Sequence, residues 1–191
     1  PPPPTFQAED GIRDNGAGLV GSEMCIRDSM VDAGAPATGD EIVLSESHDL
    51  LEWRPLGPVM RGRPRYWDER IGAGPPPVRT RHGWLLLYHG IATHFGSVSI
   101  YQAGVALFDL DDPLRLIGRS RDNVLEPRKM YELVGQVPNV VFPSGMIVDE
   151  FDADGFARDD SPLRVYYGAA DTSVCMATGT VEGLLAALDD E

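Results

Sequence analysis

Three consecutive prolines running into an unbroken apolar stretch constrain this chain more than any other feature. Residues 70–90 read RIGAGPPPVRTRHGWLLLYHG. Pro75, Pro76 and Pro77 have no backbone N–H and a fixed φ, so the segment is extended and no helix passes through it. Trp84-Leu85-Leu86-Leu87-Tyr88 then predicts a short buried strand, with Gly90 permitting a sharp exit. On this reading Tyr88 and His89 stand at a strand end, where rigid scaffolds place binding groups.

Similar pieces occur on either side. Ile42-Val43-Leu44 predicts a strand, residues 45–49 a polar turn, and Leu51-Glu52-Trp53 the start of the next element. A second unit covers residues 74–118, with Val105, Leu107 and Leu110 apolar and a turn over residues 109–113. A third covers residues 139–188. VVFPSGMIV is its first strand, LRVYYGAA its second and VCMATGTVEGLLAAL its last, although VEGLLAAL also fits one or two helical turns.

The two later units align. Pro77-Val78 matches Pro143-Ser144, Tyr88-His89-Gly90 matches Tyr166-Tyr167-Gly168, and GVALFDLDDPLRL matches VCMATGTVEGLLAAL. The first match is 66 residues apart and the second 78, so 12 residues are inserted, largely the acidic loop 149–161. Asp149, Glu150, Asp152, Asp154, Asp159 and Asp160 lack EF-hand spacing, so that loop is expected to be a solvated turn. Short strands with long-period self-similarity predict an all-β propeller, the alternative being a Greek-key β-sandwich.

Residues 1–29 have no hydrophobic period, and their pieces AEDGIRD and GLVGSEMCIRDS resemble translated sequencing-adaptor DNA. They are expected to be non-native or disordered, leaving residues 30–191 as the domain; a secretory signal fits poorly. The remaining length suits one domain with a real core. Composition is that of a globular chain, 42% hydrophobic and 24% charged, with no membrane-length apolar run. Residues 1–29 hold five acids against two arginines, so −11 of the formal −14 charge lies on the domain. Such a surface disfavours nucleic acid and anionic membrane as partners. Only Cys25 and Cys175 occur, and the single cysteine of the domain points to a reducing, cytoplasmic compartment. His48, His82, His89 and His94 show no zinc spacing, and no metal is expected.

RIGAGPPP with its YHG strand, YELVGQVPNVVFPSG, LRVYYGAADT and the S-x-S-x-D-L-x-x-W of residues 45–53 together resemble glycoside hydrolase family 130. That family comprises β-mannoside phosphorylases and related mannosidases. The resemblance covers roughly residues 40–191 and implies a five-bladed β-propeller with an axial sugar funnel, about three blades being present here. It implies inverting phosphorolysis of a β-mannoside, such as β-1,4-mannosyl-glucose or a mannooligosaccharide, giving α-mannose 1-phosphate. Inorganic phosphate would be the co-substrate, with no other cofactor, and the full-length enzyme is expected to be a homo-oligomer. A β-mannoside hydrolase and a non-catalytic carbohydrate-binding propeller are the alternatives. The family's proton donor is the Asp of a Glu-Asp-Pro-Arg motif that this sequence lacks; Glu126-Pro127-Arg128 has no Asp. The donor is therefore expected upstream, no catalytic residue is assigned here, and the chain alone is expected to be inactive.

Individual site residues follow from the resemblance. Arg70 stands where the family commonly has a phosphate-binding Lys and keeps the charge, with bidentate capacity added. The competing reading pairs it with Asp68 or Glu69. His89 corresponds to a family histidine that donates to phosphate, against a packed structural histidine. Asp171 corresponds to a substrate aspartate, against an Asx-turn closing the blade. Tyr88 could stack on a sugar face, although strand tyrosines more often pack, as Tyr166 and Tyr167 would. Tyr131, Glu132 and Asn139 belong to a family-specific loop, and Trp53, Trp67 and Trp84 are read as core anchors.

Overall fold

A computed structural model describes residues 41–46, 48–49, 51–52, 54–93 and 99–190. Residues 1–29, Trp53 and His94 lie outside the described residues. The fold is all-β, built as three antiparallel sheets where about three blades were expected. The first sheet is a hairpin of β1 (Glu41–Glu46) and β2 (Arg54–Arg61). The middle sheet contains β3 (Arg70–Ala73), β4 (Val78–Thr80), β5 (Gly83–Ala92), β6 (Ile100–Phe108) and β7 (Leu116–Ser120). A single-turn helix α1 (Met130–Leu133) leads to the third sheet, β8 (Val141–Val148), β9 (Pro162–Ala169) and β10 (Ser173–Thr180). The chain then forms α2 (Val181–Leu185) and returns as β11 (Leu188–Asp190) to pair with β7 of the middle sheet. VEGLLAAL is thus no strand of the third unit: Thr180 caps a helical turn there by accepting from the Gly183 N–H.

The uninterrupted apolar character of β5 follows from burial on both its faces. Leu85 and Leu87 point, with Val105 and Leu107 of β6, toward Leu163 and Val165 of the third sheet. Leu86 and Tyr88 point the other way, joining Ala106 and Phe108 against Ile42 and Met60 of the hairpin. Leu85 and Leu87 are at most 2% exposed, and burying each contributes about 1.5–3 kcal/mol.

The predicted exit at Gly90 does not occur. β5 continues to Ala92, so Tyr88 and His89 lie inside the strand. Gly90 is there for packing: a Cβ on it would stand 2.5 Å from the Trp67 ring and 2.6 Å from Asp68 Cβ. The acidic loop 149–161 also differs from a free turn. Its backbone bridges to β4 through Ala157 N–H and Arg79 O at 2.8 Å. Phe156 lies under the guanidinium groups of Arg79 and Arg81, and Arg81 also pairs with Asp152 and Asp154. The insertion therefore straps the third sheet to the middle one.

Candidate active site

β3 starts with Arg70 opposite Ile91 of β5, which sets Gly72 opposite His89. Directly opposed residues of an antiparallel pair project to the same face, so Arg70 and His89 share the face that looks toward the third sheet. Gly72 provides the seat: a Cβ there would meet His89 Nε2 at 2.3 Å, so only glycine lets the imidazole lie across β3. On the far side the imidazole meets Phe142 of β8, ring centroids 4.4 Å apart, with Tyr101 at 6.4 Å. His89 is 6% exposed, whereas Arg70 is exposed at the strand start. Arg70 lines a groove of about 560 Å³ together with Arg61, Arg65, Glu41, Glu69 and Thr93.

Asp171 lies at the same end of the fold. Ile91 pairs with Tyr101, Tyr101 bridges to Val140, and Val140 O accepts from the Ala170 N–H at 3.0 Å. The turn from β9 to β10 places both Ala170 and Asp171 in the left-handed region, with φ of 46° and 50°. Thr172 N–H closes it onto Ala169 O at 3.0 Å. Two consecutive positive φ values match a type I′ hairpin turn, and non-glycine residues hold them only where the surroundings enforce it. Asp171 itself is exposed.

Tyr88 does not present a ring to a sugar. It is 0% exposed, points away from His89, and stacks on Trp67 at 5.8 Å. Its hydroxyl donates to Asp68 Oδ2 at 2.8 Å and accepts from Arg119 Nε at 3.0 Å. Asp68, also 0% exposed, further accepts from Arg63 Nε and Nη2 at 2.9 and 2.8 Å and from Arg119 Nη2 at 2.6 Å. Burial raises the Tyr88 phenol above its usual pKa, and the Asp68 carboxylate adds to the rise. Asp68 therefore belongs to a buried cluster linking the segment before β3 to β5 and β7, in which two arginines already hold its carboxylate. Trp67 and Trp84 pack in the same apolar layer, as anchors do.

The loop motif YELVGQVPN is architectural. Glu132 is 3% exposed and accepts from the Arg128 and Lys129 N–H groups, each at 2.7 Å, and from the Tyr167 hydroxyl at 2.7 Å. Burial would raise its pKa, but the two backbone donors and Tyr167 prevail, and the carboxyl sits below its usual value. Asn139 takes a positive φ of 59° directly before Val140. The Asp68 cluster and the Gly72 seat were not read from sequence. A register count through the β3–β5 hairpin, opposing Gly72 to His89, is the signal that reveals the seat.

The glycoside hydrolase family described as beta-1,4-mannooligosaccharide phosphorylase matches residues 27–190. A 1,2-beta-oligomannan phosphorylase of Thermoanaerobacter sp. (strain X514) is 36% identical over 138 residues, 72% of this chain and 42% of that protein. A beta-1,4-mannooligosaccharide phosphorylase of Ruminococcus albus is 37% identical over 155 residues, 81% of this chain and 43% of the relative. In three dimensions the beta-1,2-mannobiose phosphorylase of Listeria innocua, solved with beta-1,2-mannobiose, superposes with a TM-score of 0.71 at 31% identity. That superposition covers 91% of this chain and 43% of the other. The chain thus spans less than half the length of these relatives, and the structural neighbours in the family are five-bladed β-propellers. By a family match over most of its length, this chain belongs to glycoside hydrolase family 130.

Proposed function

We propose that the enzyme containing this chain performs inverting phosphorolysis of a β-mannoside, with Arg70 and His89 holding phosphate and Asp171 receiving sugar hydroxyls. The observation that carries the reading is the shared face of Arg70 and His89 on adjacent strands, with His89 seated on Gly72. A guanidinium and an imidazole N–H on one sheet face suit an oxyanion. One phosphate oxygen attacks the anomeric carbon from the face opposite the glycosidic oxygen. The new C–O bond forms as the glycosidic C–O bond breaks, and a carboxylic acid protonates the departing oxygen. The product is α-mannose 1-phosphate and a shortened sugar. Phosphate replaces the water and the base that an inverting hydrolase requires. That acid comes from the Glu-Asp-Pro-Arg motif, which this sequence does not contain.

One observation favours the hydrolase alternative. His89 is 6% exposed and packed against Phe142, as a structural histidine would be. Initial rates in the whole enzyme, with phosphate and mannoside varied separately, separate the two. Arg70→Ala and His89→Ala each raise the phosphate KM about 10- to 150-fold, the equivalent of a lost charged hydrogen bond. Asp171→Asn raises the sugar KM and leaves that for phosphate. Mannose released at an undiminished rate without phosphate would establish hydrolysis instead.

A further inference from the structure

We propose that Glu132 is a positioning residue: through Tyr167 and the loop that follows α1, it fixes the left-handed turn that presents Asp171. The proposal rests on the reading of Asp171 as a sugar ligand. Glu132 Oε2 gathers the Arg128 and Lys129 N–H groups and so closes α1, while Oε1 holds the Tyr167 hydroxyl. Tyr167 is 4% exposed on β9, two residues before the turn begins at Ala169. The Glu132 carbonyl also takes the Val140 N–H at 3.1 Å, and Val140 O takes the Ala170 N–H.

The segment leaving α1 then lies directly on the turn. Gln136 N–H donates to Thr172 Oγ1 at 3.0 Å, and Val137 N–H donates to Ala170 O at 3.2 Å. Gly135 makes the approach possible, since a Cβ there would stand 2.3 Å from Ala170 O. Three of the four positive-φ non-glycine residues among those described, Asn139, Ala170 and Asp171, lie in or directly beside the segments that this contact joins. A turn of two left-handed L-residues needs external restraint. The loop supplies it, and the Glu132 carboxylate is the group on which the loop closes.

The test pairs amide hydrogen exchange in this chain with kinetics in the whole enzyme. Tyr167→Phe removes one hydroxyl and keeps the packing; Glu132→Ala removes the whole anchor. Exchange at Val137, Ala170 and Thr172 is expected to rise about tenfold or more in both, while Leu87 and Val105 of the middle sheet stay protected. Glu132→Gln, which keeps an acceptor for the backbone donors, restores part of the protection. In the enzyme, Tyr167→Phe raises the sugar KM and leaves the phosphate KM in place. Unchanged exchange in Tyr167→Phe and Glu132→Ala overturns the proposal. If Asp171→Asn raises the sugar KM and Tyr167→Phe does not, the positioning role alone fails. If Asp171→Asn leaves the sugar KM unchanged, the sugar reading of Asp171 fails and takes this proposal with it.

Discussion

Asp68→Asn tests the buried cluster behind the candidate site. The carboxylate is 0% exposed and accepts from four donor atoms: two on Arg63, one on Arg119 and the Tyr88 hydroxyl. Asparagine keeps the volume, removes the charge and puts two N–H donors where donors already converge. Arg119, with a side chain 4% exposed, is then left as a buried cation without its counter-charge. Removing one partner of a buried ion pair costs about 3–5 kcal/mol. Arg63, with a side chain 30% exposed, is partly rehydrated and adds little. Against a typical stability of about 5–15 kcal/mol, this is a large share. Tyr88→Phe, which deletes a hydroxyl and spares both charges, should cost only about 1–2 kcal/mol. Urea unfolding followed by tryptophan fluorescence is the assay, since Trp67 stacks on Tyr88. An Asp68→Asn chain within about 1 kcal/mol of the parent would refute the reasoning, because a buried charge cannot be orphaned so cheaply.

Gly72→Ala drives a methyl into His89 Nε2, so the imidazole must leave its buried seat; phosphate KM should rise and the melting temperature should fall by a few degrees, since overpacking costs about 1–3 kcal/mol, measured by kinetics and calorimetry. Glu132 has a folded pKa below its usual value, so the folded state binds a proton less readily than the unfolded one. Its contribution is present above the ordinary glutamate range and lost as pH falls through the folded value; urea midpoints measured against pH should show a flatter acid limb in Glu132→Gln. The chain by itself, lacking Glu-Asp-Pro-Arg, should release no mannose 1-phosphate from β-mannosides at an enzymatic rate, as a product assay would show. Deleting residues 1–29 should leave the melting temperature where it is, as a thermal scan would show.

Much of the fold was legible because β5 is covered on both faces. That double burial writes itself into sequence as Trp84-Leu85-Leu86-Leu87-Tyr88, and the prolines before it exclude a helix. The repeated unit followed from the match of β5 with β9, each of which lies one strand in from an edge of its sheet. Gly90 misled because a glycine after an apolar run signals a turn only when nothing large needs its space, and Trp67 does. Tyr88 misled because its partners, Asp68 and Arg119, are 20 and 31 residues away and the register that joins them is tertiary. β11 was invisible for the same reason: a three-residue strand has no period of its own, and its pairing with β7 exists only once the third sheet is in place.

The return of β11 to the middle sheet has a mechanical outcome. The third sheet is bracketed in the chain by β7 and β11, which are hydrogen-bonded neighbours from Leu188–Ser120 to Asp190–Gly118. It therefore cannot swing away as an independent flap: opening it means unzipping β11 or tearing the strap at Arg79–Ala157. A protease that nicks the exposed part of residues 149–161 would leave two pieces that co-migrate until denatured. Opening of this region and loss of the whole chain's structure should then occur in one transition rather than two.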